Sequence, residues 1–537
     1  MANAWKRKHL GILLCLAAGL PHLAWADETL SPAARQWWAD ISALAGDDKE
    51  GRQTGSAGYM RAADYVISRF KAEGLQPAGV KGFLQPVKLE QQTVDQGASQ
   101  VDLVGANGAI TALNAGEDSR IAAGGAPLPD AVDAALVFIG YGLHLPNQGY
   151  DDFAGIDLKG KIAVVLGGGP ADISGPIKSS ARFARDAALG KLGAVGVITL
   201  TTPHQVEIPW SRQIALAAQP GMYLADAALR ETPDRFLGLS IDPEKSEPLF
   251  TGSGHTFAEL CALSDASRPL PRFELPGRLK VRIAARREQL TSPNLIAKLP
   301  GRDLKLAKEY VVVSAHLDHL GVGVPINGDA IYNGAMDDAS GVATVLDIAH
   351  RLKQGPRPRR SILFLIVTAE EKGLLGSYYF ASNPPMAKGS IVADLNFDMA
   401  LPLWPLKSVF APGENESTLG GDARAVAAVQ GLTMAPDPLP DRNVFIRTDQ
   451  YSFVRKGVPA MAFKFGFAKD TPQFDIEHQW RATRYHAPSD DLNQPGVLKG
   501  EAVRLDDFVA ALALKVANDE SRPQWLPTSV FRPGNPQ

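Results

Sequence analysis

Histidine and carboxylate residues follow the ends of several predicted strands in the second half of the chain. These residues are His316, Glu370, Glu371 and Asp398. In an open α/β sheet, ligand sites lie at the carboxyl ends of the strands. We therefore expect these side chains to converge on one edge of the sheet, where they would provide metal ligands or proton-transfer groups.

Two further residues extend this set. Asp337 follows an irregular, glycine-containing stretch at 327–336, and His486 lies two residues before Pro488. Imidazole nitrogens and carboxylate oxygens without thiolates suit zinc or another divalent first-row metal. Two ions about 3.5–4 Å apart can share a carboxylate and a water. A set of five ligands in which one Asp bridges the ions fits this arrangement.

The adjacent carboxylates Glu370 and Glu371 can divide the work at such a site. One binds metal while the other accepts a proton from the attacking water. Asp318 is in position to accept the second imidazole proton of His316 and so to fix the tautomer of this ring. Tyr485 is a candidate hydrogen-bond donor to a developing oxyanion, with packing as the alternative.

Each of these residues also has a purely structural alternative. A His-x-Asp sequence is often a surface turn, and the helix dipole favours an acidic pair at a helix start. Asp337 is suited to cap the following helix, while Asp398 and His486 are suited to a turn and a loop. His319 and His478 compete with His486 as imidazole ligands. The order of all five candidates and their strand-end positions are what favour a metal site.

The segments around these residues predict strands that alternate with helices. The predicted strands are 310–314, 361–368, 391–397 and 460–465, and the predicted helices are 341–352 and 373–381. This alternation is typical of an open, mostly parallel sheet with helices on both faces. We therefore predict an α/β fold, with its main domain at 281–522 and a surface tail at 523–537.

The first half of the chain predicts two further segments. Residues 27–130, with a helix at 58–70, are assigned to the N-terminal part of the main domain. Residues 131–280 are assigned to an inserted, smaller, β-rich α/β domain. Its predicted elements are strands at 134–140, 161–166 and 196–200 and a helix at 180–192.

The charge and cysteine content exclude several classes of partner and site. With 55 basic and 58 acidic residues, the formal net charge is −3, which gives no attraction to nucleic acid or anionic lipid. Once residues 1–26 are removed, Cys261 is the one remaining cysteine of the two in the chain. An intrachain disulfide and a multi-thiolate metal site are therefore both excluded.

The N-terminal residues predict export. Basic residues at 6–8 precede an apolar run at 10–20, and Ala-Trp-Ala at 24–26 is typical of a signal-peptidase site. We expect cleavage before Asp27. A membrane anchor is the alternative, but it needs about 20 apolar residues and this run is shorter. The mature protein is therefore expected to be periplasmic or secreted and free of the membrane, while its oligomeric state stays open.

Several segments around the candidate ligands resemble a known family. They are 316–318, 333–341, 369–377, 396–399 and 485–490. Together they resemble the di-zinc aminopeptidase family that includes bacterial leucyl aminopeptidases and glutamate carboxypeptidase. The middle of the chain resembles a protease-associated domain inserted into the peptidase domain, through its segments 138–142, 151–155 and 159–162.

This resemblance implies the zinc exopeptidase fold and two zinc ions, or another divalent first-row metal in one position. It implies that Asp337 bridges the two ions. His316 and Asp398 would complete one position, and Glu371 and His486 the other. The implied partners are peptides with a free N-terminus, and the implied reaction is hydrolysis of the N-terminal peptide bond.

In the implied mechanism, a metal-bridging water gives its proton to Glu370, and this base returns the proton to the leaving amine. The sequence departs from the family at 448–450, where Thr-Asp-Gln replaces the Ser-Asp-His of many relatives. That region shapes the substrate pocket, so the departure affects specificity. The rival functions are a carboxypeptidase or amidohydrolase with the same metals and a non-catalytic binding protein on the same fold.

Overall fold

The computed structural model describes residues 30–534, except residues 207 and 443. The predicted signal segment, 1–26, lies outside these residues, so cleavage before Asp27 stays a prediction. Within the described part of the chain, no helix is long and apolar enough to cross a membrane.

The secondary structure alternates between the two types along most of the chain. The α-helices of the described residues are α1 (Pro32–Leu44), α2 (Ala57–Ala72), α3 (Gly175–Lys191), α4 (Trp210–Ala217), α5 (Phe257–Asp265), α6 (Ser340–Gln354), α7 (Leu375–Ser382), α8 (Leu419–Val429), α9 (Gln450–Val454), α10 (Pro472–Thr483) and α11 (Lys499–Asn518). The strands before residue 300 are β1 (Gln76–Pro77), β2 (Leu84–Val104), β3 (Ile110–Ala112), β4 (Ser119–Ile121), β5 (Ala131–Ile139), β6 (His144–Leu145), β7 (Tyr150–Asp151), β8 (Ile162–Leu166), β9 (Gly196–Leu200), β10 (Gly221–Leu224), β11 (Leu237–Ile241) and β12 (Arg272–Leu299). The later strands are β13 (Tyr310–His316), β14 (Gly321–Ile326), β15 (Asp329–Tyr332), β16 (Ser361–Val367), β17 (Ile391–Phe397), β18 (Ser408–Phe410), β19 (Thr433–Ala435) and β20 (Ala460–Phe465).

Most strands belong to one mixed sheet. Its order is β19-β18-β20-β17-β13-β16-β12-β5-β8-β9-β11-β4. Strands β16, β13, β17 and β20 are parallel to one another, whereas β12 is antiparallel to β16. The predicted α/β fold with a mostly parallel sheet is therefore confirmed.

Helices cover both faces of this parallel region, as strand β13 shows. Val311 and Val313 belong to a core that also contains residues of α1, α2, α6 and α11. Val312, which points the other way, belongs to a core with residues of α7 and α9. Because both faces are buried, these strands are continuous hydrophobic runs in the sequence.

A separate hydrophobic core lies in the middle of the chain, between Val94 and Ile283. The first core joins buried residues up to Phe83 with those from Leu295 onwards. The chain thus leaves one core and later returns to it. The middle core includes residues of the second half of the long strand β2, and the inserted unit at 131–280 stays a prediction.

The described part of the predicted surface tail is packed rather than free. Phe531 is buried, with its ring centroid 5.0 Å from that of Phe445 and 6.0 Å from that of Tyr451. Trp525 donates its indole N–H to the carbonyl oxygen of Gly457, at 2.9 Å. Residues 523–534 thus combine exposed residues, such as Gln524 and Arg532, with packed aromatic side chains, and the surface extension stays a prediction.

Candidate metal centre

The predicted ligands meet at the carboxyl ends of three neighbouring parallel strands. His316 is the last residue of β13, and Asp398 directly follows β17. Glu370 and Glu371 follow β16, which lies on the other side of β13. Asp337 lies in the turn that leads into α6. The sheet thus brings together every position that the strand ends predicted.

His316 and Asp337 form the centre of the first ligand group. Nε2 of His316 lies 3.3 Å from Oδ1 of Asp337. One ligand atom from each of His316, Asp337 and Asp398 lies within 4.8 Å of the other two. Nε2 of His316 is buried and has no hydrogen-bond partner among the described residues. A buried imidazole nitrogen that faces carboxylate oxygens without a hydrogen bond fits a metal ligand.

The second ligand group lies on the opposite side of Asp337. Nε2 of His486 lies 3.3 Å from Oδ2 of Asp337 and 3.2 Å from Oε2 of Glu371. The two oxygens of Asp337 therefore face different imidazoles, His316 and His486. This is the arrangement expected of a bridging carboxylate between two cations.

Glu370 lies beside the first group, with Oε2 3.9 Å from Nε2 of His316. Burial raises the pKa of Glu370 well above its usual range, and the negative charges of Asp398 and Asp449 raise it further against the opposing effect of His316. A raised pKa makes this carboxylate a stronger proton acceptor than an exposed glutamate. Glu370 is therefore suited to the role of general base.

The Asp318 side chain does not contact His316 in the way that the sequence suggested. His316 donates its Nδ1 proton to the backbone carbonyl of Asp318, at 3.0 Å. The Asp318 carboxylate instead accepts hydrogen bonds from Thr54 Oγ1, at 2.9 Å, and from the backbone N–H of Glu370, at 3.1 Å. The tautomer of His316 is thus set by a carbonyl, and the carboxylate connects the N-terminal segment to the base.

Asp490 supports the loop that carries the bridging ligand. Its carboxylate accepts hydrogen bonds from the backbone N–H groups of Met336 and Asp337, both at 3.0 Å. The pKa of Asp490 is raised to about 6, because the effect of burial exceeds the lowering effect of these two hydrogen bonds. We did not assign this role from the sequence, although Asp490 is the last residue of the segment at 485–490.

Three residues at the site have backbone conformations that favour glycine. Ala369 (φ 56°) precedes Glu370, Met399 (φ 53°) follows the candidate ligand Asp398, and the candidate ligand His486 itself has φ 53°. The left-handed region costs a residue other than glycine roughly 1–2 kcal/mol. Such conformations persist where the surrounding structure enforces them, which is common at functional sites.

The structure separates the two alternative histidines. His319 is fully buried, and its Nδ1 lies 2.7 Å from Oε1 of Glu371. One atom from each of His319, Asp337 and Glu371 lies within 4.8 Å of the others, so this histidine belongs to the site. His478 is exposed on α10, where it stacks on Phe474.

Tyr485 lines the cavity beside Asp337 and Glu370. Its ring stacks on that of His486, with centroids 3.9 Å apart. The guanidinium carbon of Arg481 lies 4.8 Å from the ring centroid of Tyr485. The packing role is thus observed, and donation to an oxyanion stays a prediction.

Residues 448–450, where the sequence differs from many relatives, lie partly in the cavity wall and partly in the core. Thr448 lines the cavity. Gln450 is buried behind it, where it accepts a hydrogen bond from Asn396 Nδ2, at 3.2 Å, and donates to the carbonyl of Phe445, at 2.7 Å. The glutamine therefore connects β17 to the segment that precedes α9.

The middle segment of the chain, residues 94–283, forms one wall of the site. A cavity of about 260 Å³ is bounded by residues 120–124, by residues of the segment 216–222, and by Glu371 and His486. Arg212 of α4 reaches the loop before His486.

The guanidinium of Arg212 forms hydrogen bonds to the C-terminal end of α10 and the residues that follow it. It donates to the backbone carbonyls of Ala482, at 2.7 Å, of Tyr485, at 3.1 Å, and of Arg481, at 3.4 Å. The last carbonyls of a helix have no partner within the helix and favour a cation. The middle segment thus stabilises the loop that presents His486.

The fold and the site together define an α/β protein with a carboxylate and imidazole centre suited to two divalent cations. The model of Peptidase family M28 matches residues 294–512. This part of the chain is therefore similar to that family, in agreement with the resemblance of the sequence segments. The matched residues include all of the candidate ligands and Glu370.

Two curated relatives carry aminopeptidase names. The chain is 28% identical over 252 residues to "probable leucine aminopeptidase 2" of Aspergillus oryzae, a match that covers 44% of this chain and 47% of the relative. It is 27% identical over 284 residues to "probable lipoprotein aminopeptidase LpqL" of Mycobacterium tuberculosis, which covers 48% of this chain and 53% of the relative. The chain thus spans about half the length of these relatives.

A solved structure shares the fold over most of the chain. The aminopeptidase from Aneurinibacillus sp. strain AM-1 superposes with a TM-score of 0.53 at 20% identity, covering 91% of this chain and 95% of that one. This likeness shows the fold. It extends beyond the segment matched by the family model, so it includes part of the middle segment.

Proposed function

We propose that this protein is a two-metal aminopeptidase that removes the N-terminal residue from peptides. The observation that carries the proposal is the position of Asp337, whose two oxygens face His316 and His486 at 3.3 Å each. The names of the curated relatives support the same activity. The donors are nitrogen and oxygen atoms without a thiolate, which fits zinc at both positions.

Bound zinc would polarise the scissile carbonyl and make water a stronger nucleophile at neutral pH. The chain's own contribution begins with Glu370, which accepts a proton from the attacking water. Because its carboxylate lies at the edge of the ligand group, Glu370 can then deliver this proton to the leaving amine. Asp318 holds the backbone N–H of the base at 3.1 Å, which keeps the carboxylate in place.

A carboxypeptidase is a second candidate, because cationic side chains also line the cavity that contains Asp337 and Glu370. These residues are Arg442, Arg447, Lys464 and Arg481. Arginine and lysine are the usual partners of a substrate carboxylate. A free C-terminal carboxylate bound there would place the C-terminal peptide bond, instead of the N-terminal one, at the candidate metal site.

Metal analysis and two substrate types test the proposal. We expect about two zinc ions per purified chain and hydrolysis of aminoacyl anilides with a free amine. N-blocked peptides with a free carboxylate should be resistant. Cleavage of the blocked peptides alone would favour the carboxypeptidase, and an active protein without metal would contradict both.

We also infer that the protein is exported. The basic, apolar and small-residue segments at 6–8, 10–20 and 24–26 support this. N-terminal sequencing of the protein recovered from outside the cytoplasm should begin at Asp27. A chain that keeps residues 1–26 in the cytoplasm would contradict the inference.

A further inference from the structure

His319 lies beside the candidate ligand Glu371 but is outside the five-ligand set. Its side chain is fully buried, and Nδ1 lies 2.7 Å from Oε1 of Glu371. His486 faces the other oxygen of the same carboxylate, with Nε2 3.2 Å from Oε2. The Glu371 carboxylate is therefore held between two imidazoles.

The ring of His319 packs closely against the backbone at Gly334. A Cβ atom at Gly334 would lie 2.6 Å from Cγ and Cδ2 of the ring, closer than real contacts allow. Gly334 also has φ +61°, which disfavours other residues. The backbone N–H of His319 donates to the carbonyl of Arg52, at 3.2 Å. Packing and backbone bonding thus fix the direction in which Nδ1 points.

The surroundings also indicate which nitrogen of His319 carries the proton. A carboxylate oxygen accepts hydrogen bonds, so Nδ1, which faces Oε1 of Glu371, must be the donor. Nε2 is buried and has no hydrogen-bond partner among the residues from 30 to 534 that the structure describes. A proton there would leave a buried donor unpaired, at a cost of about 1–3 kcal/mol. The geometry therefore favours a proton on Nδ1.

His319 is less well placed than His486 to bind the shared ion directly. Nδ1 of His319 lies 3.9 Å from Oδ2 of Asp337, whereas Nε2 of His486 lies 3.3 Å from the same oxygen. The shortest contact of His319 is instead the one to Oε1 of Glu371. Its geometry is that of a hydrogen-bond donor to a ligand.

We propose that His319 is a positioning residue of the second metal position. Its Nδ1–H occupies Oε1 of Glu371 and leaves Oε2 for the ion that His486 and Asp337 also face. This inference rests on the proposed two-metal function. Hydrogen bonds to ligating side chains typically change metal affinity by about 10–100-fold.

Two amide substitutions distinguish the atoms of this ring. In H319N the amide nitrogen lies close to the place of Nδ1, whereas in H319Q it lies close to that of Nε2. We expect H319N to keep nearly the wild-type affinity for the second zinc ion, measured by competition with a chromophoric chelator. H319Q should bind this ion roughly 10–100-fold more weakly. The visible spectrum of the cobalt-substituted protein should be unchanged in H319N, since no ligand is lost.

Other results would overturn the inference. Equal affinities in both variants, retention in H319Q alone, or an altered cobalt spectrum in H319N would each exclude a positioning role through Nδ1. Circular dichroism of the metal-free proteins checks folding, and H319L replaces H319Q as the variant without a donor if H319Q does not fold. A wild-type protein that binds a single ion would contradict the two-metal function itself. If the wild-type protein binds two ions, the results for the variants above would contradict only the positioning role of His319.

Discussion

At the scale of single residues, the site is a cluster of buried acids balanced by imidazoles. Burial raises the pKa of Asp338 well above its usual range, and the nearby charges of Asp398 and Asp337 add to this effect, while His316 opposes it. Glu370 shows the same direction. By contrast, burial acts to raise the pKa of Asp337, but this pKa lies well below its usual range because the nearby imidazoles of His316 and His486 outweigh burial. Neighbouring carboxylates thus have opposite tendencies, which separates the candidate ligand Asp337 from the candidate base Glu370.

The substitution Glu370→Gln tests this separation. The amide has the same shape but cannot accept the proton, so we expect kcat to fall by about 10²–10⁴-fold. The zinc content should stay the same because Glu370 is in neither ligand group. Steady-state kinetics and metal analysis measure the two effects.

Glu288→Gln is the matched control, because Glu288 is an exposed residue of β12 outside the site. It should leave both kcat and zinc content unchanged. Full activity in E370Q would mean that another group is the base. Loss of zinc in E370Q would mean that Glu370 is a ligand.

At the scale of elements, α4 of the middle segment stabilises the helix end from which His486 follows. Charged hydrogen bonds contribute about 1.5–3 kcal/mol each when their partner is otherwise unpaired. The hydrogen bonds of Arg212 therefore stabilise the segment that precedes the candidate ligand His486, which lies more than 270 residues further along the chain. The middle segment thus lines the cavity beside the site and also supports the loop that contains His486.

The substitution Arg212→Met keeps much of the side chain's length and removes the three hydrogen bonds to α10 and its following residues. We expect weaker binding of the second metal ion, by roughly tenfold, because His486 is less well ordered. Activity at limiting zinc should fall accordingly and recover as zinc is added. Zinc titration of the metal-free protein measures the change.

Arg230→Met is the control for this prediction. Arg230 also donates to backbone carbonyls, those of Leu224, at 2.8 Å, and Ala225, at 3.1 Å, but all of these residues lie within the middle segment. This variant should lose stability without losing metal affinity. Equal zinc affinities in both variants would contradict a role for α4 in the site.

At the scale of the whole molecule, the metal centre lies where the largest hydrophobic core meets the strand ends. Several of its carboxylates are buried in this core, among them Asp337 and Asp338. Buried charges without a partner are costly. Bound cations should therefore stabilise the whole fold in addition to their role in the reaction.

Removal of metal should lower the melting temperature. A ligand at 100 times its Kd stabilises a protein by about 2.7 kcal/mol, which corresponds to roughly 5–10 °C for a domain of about 150–250 residues. Calorimetry with and without EDTA measures the shift, and zinc-saturated EDTA controls for the chelator itself. An unchanged melting temperature would argue against tightly bound metal.

Much of the fold in the second half of the chain was predictable from local pattern. Strands β17 and β20 begin and end at the predicted residues, since each is a short hydrophobic run between polar segments. The helix predicted at 373–381 begins at Leu375, because Leu374 has φ 60° and cannot belong to a regular helix. Strand β2 extends as a single strand into the middle core, a property that a local pattern does not indicate.

The sequence by itself determined which residues can bind metal and that their strands end at one edge. These properties depend on residue type and on local periodicity, which are written in the order of the chain. The tertiary structure alone decided that the carbonyl of Asp318 receives the proton of His316, that His319 joins the site and that Arg212 supports His486. Each of these contacts depends on the direction of a side chain or on residues far apart in the chain, and neither property appears in a local pattern.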